Sequence, residues 1–117
     1  MTKNRKTLTY CQRLIERLRA AQDGATDYRL AQLLEITPQA IYQVKNKGTM
    51  FSDLTLNKIA QLLGENPMKL IGQSHLETQD FPGMNNVWEA MVEWGMKEEL
   101  KQFQELTQDG IGKVSGL

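Results

Sequence analysis

Apolar side chains recur every three or four residues along most of this chain, and no stretch shows the sustained alternation of a β-strand. That spacing places apolar groups on one face of an α-helix. Helix starts and stops then divide the chain, because Ser, Thr and Asn favour the N-cap and glycine favours the residue after a helix. The sequence therefore predicts an all-α protein.

Six helical segments follow from this pattern. Their approximate bounds are 7–21, 27–34, 37–45, 52–63, 66–75 and 87–106. Thr37-Pro38 and Asn66-Pro67 each join a favoured N-cap to a proline at the first helical position, where its missing N–H costs no hydrogen bond. Thr9 and Ser52 are the other N-cap candidates, Gly48 and Gly64 are helix stops, and Asp27 is expected to cap the second helix.

The carboxyl-terminal part is set apart by a linker candidate at 77–83, which contains Asp80, Pro82 and Gly83. We therefore expect a first domain over residues 1–76. The remainder, 77–117, is expected to hold the linker, one helix and a frayed end after residue 108.

Composition narrows the function classes. Hydrophobic residues make up 40% of the chain and charged residues 24%, which is typical of a globular protein. One cysteine (Cys11) excludes an internal disulfide and a multi-thiolate zinc site, and one histidine (His75), expected on the surface, leaves little material for histidine chemistry. We expect no catalytic residues, no metal and no cofactor.

Membrane signals are weak in this sequence. No apolar run approaches the roughly 20 residues of a membrane span, and the basic start lacks the apolar block of a signal peptide. We therefore expect a soluble, cytoplasmic protein without a membrane partner.

Charge is unevenly distributed although the net charge is zero. Residues 1–47 carry nine cations and four acids, whereas residues 48–117 carry five lysines, ten acids and no arginine. Chance clustering of surface charge is one explanation. A basic amino-terminal half that meets a polyanion is the other.

The segment 27–48, DYRLAQLLEITPQAIYQVKNKG, combines a short helix, a turn and a second short helix. Ala31 provides the small side chain needed where two such helices cross. The inward positions and the apolar turn position are Leu30, Leu34, Ile36, Ile41 and Val44. This pattern resembles the helix-turn-helix of the lambda-repressor-like (Cro/repressor, XRE-type) family of phages and bacteria.

The resemblance covers about residues 7–73 and implies a five-helix domain. It does not cover residues 77–117, where the helical pattern predicts a carboxyl-terminal helical extension. One residue departs from the family pattern, because Glu35 occupies a turn position where the family usually has glycine. A left-handed backbone at that position would cost a residue with a side chain about 1 kcal/mol.

The resemblance implies that the outward side of the third helix enters the major groove of double-stranded DNA. The residues implied to contact bases are Pro38, Gln39, Tyr42, Gln43 and Asn46. Glutamine is suited to this role because its amide can pair with adenine N6 and N7. The candidates for contact with the DNA backbone are Lys3, Arg5, Lys6, Arg29, Thr37, Lys45 and Lys47. The alternative is an ordinary solvated helix face, although such a face normally includes glutamate and none lies between Thr37 and Lys47.

The last predicted helix is apolar over much of its circumference. Three interpretations are open for the surface that covers it: packing against the first domain, a homodimer seam, or a docking surface for another protein. The residues of this dimer or partner surface are Trp88, Met91, Val92, Trp94, Met96 and Phe103. Five glutamates, Glu89, Glu93, Glu98, Glu99 and Glu105, are expected to make its exposed side acidic.

Two hypotheses follow. The first is a sequence-specific double-stranded DNA-binding transcriptional regulator, a small repressor that binds as a dimer in the cytoplasm of a bacterial or phage-infected cell. The alternative is an antitoxin-like or phage-encoded adaptor that keeps the helix-turn-helix scaffold and engages a protein partner through its last helix. An enzyme is not expected.

Overall fold

The computed structural model describes residues 8–115, the last ten of them by backbone alone. Within that range the chain forms six α-helices and no β-strand. The helices are α1 (Tyr10–Ala21), α2 (Asp27–Leu34), α3 (Pro38–Lys47), α4 (Asp53–Leu63), α5 (Pro67–Thr78) and α6 (Asn85–Ser115). A short 3₁₀ turn, Pro82–Met84, joins α5 to α6. The predicted all-α class is confirmed for this part of the chain.

Side-chain caps fix the helix starts. The Thr9 hydroxyl accepts a hydrogen bond from the Gln12 N–H at 3.1 Å, and the Gln12 side chain accepts one from the Thr9 N–H at 2.8 Å, which forms a complete capping box. Thr37, Ser52 and Asn66 cap α3, α4 and α5 as predicted. These starts are therefore encoded locally.

Several boundaries differ from the prediction. Thr26, not Asp27, caps α2, because its hydroxyl accepts the Arg29 N–H at 3.2 Å. Helix α5 continues past His75 to Thr78 and so takes the first two residues of the predicted linker, and Pro82–Met84 forms a 3₁₀ turn at its other end. Helix α6 begins at Asn85 and continues to Ser115, through part of the end predicted to be frayed.

The hydrophobic core lies among α1 to α5. Its buried members are Cys11, Leu14, Ile15, Leu18, Leu30, Ala31, Leu34, Ile41, Val44, Phe51, Leu56, Ile59, Ala60 and Leu70. Met50 and Ile36, from the loops on either side of α3, pack against it. Because every helix from α1 to α5 contributes at least one of these side chains, the orientation of each is fixed by burial.

Helix α6 packs along α5 through two glycines. A Cβ on Gly72 would lie 2.7 Å from the Trp88 carbonyl oxygen, and one on Gly95 would lie 2.7 Å from the Lys69 nitrogen. The axes therefore approach more closely than larger side chains would permit. This is the packing that one of the three interpretations of the last helix expects.

A carboxylate joins α6 to the start of α5. Glu99 accepts hydrogen bonds from the Asn66 N–H at 2.6 Å and from the Lys69 ammonium at 2.9 Å. The prediction that Glu99 contributes to an exposed acidic face is therefore wrong, since this side chain turns towards α5.

Candidate nucleic-acid interface

The turn between α2 and α3 depends on a left-handed residue. Glu35 has φ 58° and ψ 41°, and its N–H bonds to the Ala31 and Gln32 carbonyls. The Ile36 N–H then bonds to the Ala31 carbonyl at 3.0 Å. Ala31 is buried, as the crossing of the two helices requires. The sequence therefore places a glutamate where glycine would be less strained.

Burial of Ile41 and Val44 sets the rotation of α3. Pro38, Gln39 and Asn46 are consequently exposed, and Tyr42 is 50% exposed. Because the main packing of α6 is on α5, this outward surface is open within the described part of the chain.

Gln43 differs from the other predicted base-contact residues. It is only half-buried, and its side chain lies at the edge of a small apolar groove with Ile36, Met50 and Thr55. The expectation that it lies fully outward beside Gln39 is therefore wrong. The reason is that Gln43 lies three residues after the half-buried Ala40, on the side of α3 that borders this groove.

The amino-terminal end of α3 is exposed and capped. The Thr37 hydroxyl accepts the Ala40 N–H at 3.1 Å, so this side chain is engaged in the cap. Further along, the Asn46 amide donates to the Tyr42 carbonyl at 3.2 Å. The helix start carries the positive end of the helix dipole and favours an anion.

The predicted backbone-contact cations fall into three groups. Arg29 is exposed in the first turn of α2, and Lys47 is exposed at the end of α3. The Lys45 ammonium bonds to the Asp27 carboxylate at 2.7 Å, so a phosphate would compete with that carboxylate. The remaining candidates, Lys3, Arg5 and Lys6, lie outside the described residues.

Asp27 connects three helices. Its carboxylate bonds to Lys45 of α3 and, at 2.6 Å, to Arg19 of α1. The hydrogen bond from Lys45 is the main cause that lowers the pKa of Asp27, Arg19 adds to it, and partial burial opposes both. The acid is therefore ionised and balanced by two cations beside the candidate interface.

Gln12 is a positioning residue that the sequence did not reveal. Its amide donates to the Val44 carbonyl at 3.2 Å and to the Lys45 carbonyl at 3.0 Å, which satisfies two carbonyls near the end of α3. The capping box predicts where Gln12 lies in α1. No local pattern predicts a bond to a residue more than thirty positions away.

The candidate dimer or partner residues lie on different sides of α6. Met91 and Val92 are half-buried against α5, whereas Trp94 and Met96 are each 56% exposed and Phe103 is 66% exposed. Trp88 is half-buried and stacks on His75 with ring centroids 4.3 Å apart. Trp88 is therefore part of the internal packing, and its place on a dimer or partner surface stays a prediction.

A groove of about 650 Å³ lies where α6 passes the end of α5. Leu76, Val92, Met96 and Leu100 provide its apolar lining. Met96, Leu100 and Phe103 continue this lining along α6 at spacings of four and three residues, and we call these three side chains the α6 row. The row holds three of the five large apolar side chains that α6 leaves exposed up to residue 105.

The part of the chain that the structure describes contains no group of three histidine, cysteine or acidic side chains placed to hold a metal ion. None of its helices combines the length and apolar character needed to cross a bilayer.

Comparison of the chain with protein-family models, with curated proteins and with solved structures finds no match. Functional inference for this chain therefore depends on the geometry of its own surfaces.

Proposed function

We propose that the chain is a sequence-specific double-stranded DNA-binding regulator that inserts α3 into the major groove. One observation carries the proposal. The buried Ile41 and Val44 hold α3 against the core, and this turns outward a polar surface with no acidic side chain. The order of α1 to α5 and the left-handed turn at Glu35 support a lambda-repressor-like arrangement.

The exposed groups of α3 suit base recognition. Gln39 has the amide geometry to pair with adenine, and Tyr42 can place its ring against a thymine methyl group or its hydroxyl on a phosphate. Gln43 contributes from the edge of the surface. Arg29, Lys47 and the start of α3 supply contacts to the DNA backbone.

Repression follows from occupancy of promoter DNA and needs no catalysis. A two-fold dimer would present two copies of α3 to half-sites about one helical turn apart. The α6 row is the surface proposed for this dimer, because its side chains remain exposed after α6 has packed on α5.

Selection of bound duplexes from a random pool tests the proposal directly. We expect a preferred site with two symmetric halves. On that site Gln39→Ala should cost about 1–3 kcal/mol of binding free energy, with little loss on random DNA. Lys47→Ala should weaken binding to both and reduce the salt slope by about one.

Gln61→Ala is the matched control, because Gln61 is an exposed glutamine on α4. It should leave both affinities unchanged. Equal losses on the preferred site and on random DNA after Gln39→Ala would reject base recognition by α3.

The second candidate is a protein-interaction adaptor, favoured by the exposed α6 row and the groove beside it. In that case affinity for every duplex would remain in the non-specific range, with Kd about 10⁻⁴ to 10⁻⁶ M at physiological salt. A failed duplex selection together with that range would favour the adaptor.

A further inference from the structure

A second cluster of titratable groups lies where α4, α5, the turn after α5 and α6 meet. Its centre is His75, the histidine near the end of α5. The Nε2 atom lies 3.0 Å from Asp53 of α4, and Nδ1 lies 3.3 Å from Asp80, just before the 3₁₀ turn. The Trp88 indole of α6 stacks on the same imidazole at an angle of 16°. This cluster shares no residue with the α3 surface.

The protonation state of His75 decides how many of these contacts exist. A neutral imidazole has one N–H and can donate to one carboxylate, whereas an imidazolium donates from both nitrogens. Only the protonated ring therefore satisfies Asp53 and Asp80 together. A positive ring is also better held against the face of an indole.

The two carboxylates around His75 both raise the pKa of its imidazole. Asp53 faces it from α4, Asp80 faces it from the turn, and Trp88 of α6 is uncharged. Burial of the ring tends to lower the pKa of His75, but the hydrogen bonds with Asp53 and Asp80 outweigh it and the pKa is raised. Desolvation tends to raise the pKa of Asp80, but the hydrogen bonds from His75 and Thr78 and the charge of His75 together outweigh it, and the pKa of Asp80 is lowered.

We propose that protonated His75 is a clamp that fastens α6 to the five preceding helices, and that the start of α6 loosens as the proton is lost. The mechanical reason is the position of the contacts. Asp80 lies on the short connection into α6, and Trp88 lies one turn inside it, so the imidazolium holds the entry to the helix from two sides.

The direction of the pH effect follows from linkage. The folded pKa of His75 lies above its ordinary value of 6.5, so the clamp contributes fully below pH 6.5. That contribution is lost as the pH rises through the folded pKa. The extension is therefore held most firmly on the acid side of neutrality.

Nuclear magnetic resonance tests the proposal in the full chain, because the sequence contains a single histidine and hence a single imidazole titration. We expect a midpoint above 6.5. Asp80→Asn and Asp53→Asn should each move it down. A midpoint at or below 6.5 in the unmodified chain would overturn the clamp.

Amide hydrogen exchange supplies the mechanical measurement. Protection factors in the first turns of α6 should fall across the His75 midpoint, while those of α1 remain constant. Each unit by which docking raises the pKa corresponds to a tenfold weaker docking equilibrium after the proton is lost. The rise of the His75 midpoint above 6.5 and the fall in α6 protection across it must therefore agree in magnitude.

His75→Gln should make the protection of α6 independent of pH and hold it at the lower level. Glu93→Gln is the matched control, since Glu93 forms an exposed pair with Lys97 on the same helix and has no contact with His75. If His75→Gln does not fold, Asp80→Asn answers the same question, because its pH profile should shift with the lowered midpoint. A profile that is unchanged in both variants rejects the proposal.

Discussion

Glu35 is the residue on which the geometry of the α2–α3 turn depends. It adopts φ 58°, a conformation that costs a residue with a Cβ about 1–2 kcal/mol. Its carboxylate lies 3.6 Å from Lys58 and is 77% exposed, so this ion pair contributes little to offset the strain. The protein therefore retains a strained residue in the turn between α2 and α3.

Glu35→Gly should stabilise the protein for that reason. We expect the free energy of unfolding in urea to rise by about 0.5–1 kcal/mol. Glu35→Gln, which keeps the strain and removes the charge, should change it by less than about 0.5 kcal/mol. If the glutamine variant is stabilised as much as the glycine variant, the charge and not the backbone is responsible.

Gly95 shows the opposite case, a glycine that costs helix propensity but permits close packing. A Cβ there would lie 2.7 Å from the Lys69 nitrogen and 3.0 Å from its Cβ. We expect Gly95→Ala to lower the free energy of unfolding by about 1–3 kcal/mol despite the better helix propensity of alanine. Gly83→Ala is the control, since a Cβ on Gly83 meets nothing within 4 Å. Thermal unfolding of both variants, compared with the parent, decides the point.

At the scale of helices, Asp27 links α1, α2 and α3, and it engages Lys45, a candidate for contact with the DNA backbone. Asp27→Asn should release Lys45 and remove one negative charge beside the interface. We expect the free energy of unfolding to fall by up to about 1 kcal/mol, a small loss because the pair is partly exposed. Non-specific DNA binding should become tighter, and the slope of log K against log salt concentration should become steeper by about one. Glu16→Gln, on the exposed side of α1, is the control and should change the free energy of unfolding, the DNA affinity and its salt slope by less. Loss of DNA affinity in Asp27→Asn would contradict the idea that Asp27 competes with DNA for Lys45.

The pH dependence of Asp27 has a definite sign. Its folded pKa lies below the ordinary value of 3.8, so its contribution to stability is present above pH 3.8 and is lost as the pH falls through the folded pKa. As the pH falls from 5 to 2, the free energy of unfolding measured by chemical denaturation should decrease more for the parent than for Asp27→Asn. Parallel curves for the two proteins would show that the carboxylate does not stabilise the fold.

The same scale shows what the sequence could predict. Thr37, Ser52 and Asn66 mark helix starts correctly because a cap bonds to an N–H two or three residues away. Asp27 and Glu99 were misassigned because their partners lie in other helices, which no local pattern reveals. His75 was expected on the surface for the same reason, since Asp53 and Trp88 are distant in sequence.

At the scale of the whole molecule, the polar surface of α3 and the α6 row belong to different helices. The outward surface of α3 contains the candidate base contacts, whereas the α6 row stays exposed to solvent on a helix whose other side packs on α5. The exposure of α3 followed from the burial pattern within 27–48. The side of α6 that remains exposed did not, because it depends on Gly72 and Gly95, which bring α5 and α6 together.

This division makes the proposed dimer and the proposed DNA contact separable by mutation. Met96→Asp with Phe103→Asp places charges in the α6 row and leaves α3 unchanged. We expect sedimentation equilibrium to show the monomer mass, and affinity for a two-half-site duplex to fall by about 10²-fold or more, because the second half-site is no longer held at high effective concentration. Affinity for a single half-site should remain.

Trp94→Asp is the control for that experiment. Trp94 is as exposed as Met96, but a two-residue step turns it about 200° around the helix, away from the α6 row. It should retain the dimer. A dimer broken by Trp94→Asp and kept by the double variant would move the seam to the other side of α6. The monomer mass in all three proteins, the parent included, would leave the row to a different protein partner, and DNA binding would then be the property of a single chain.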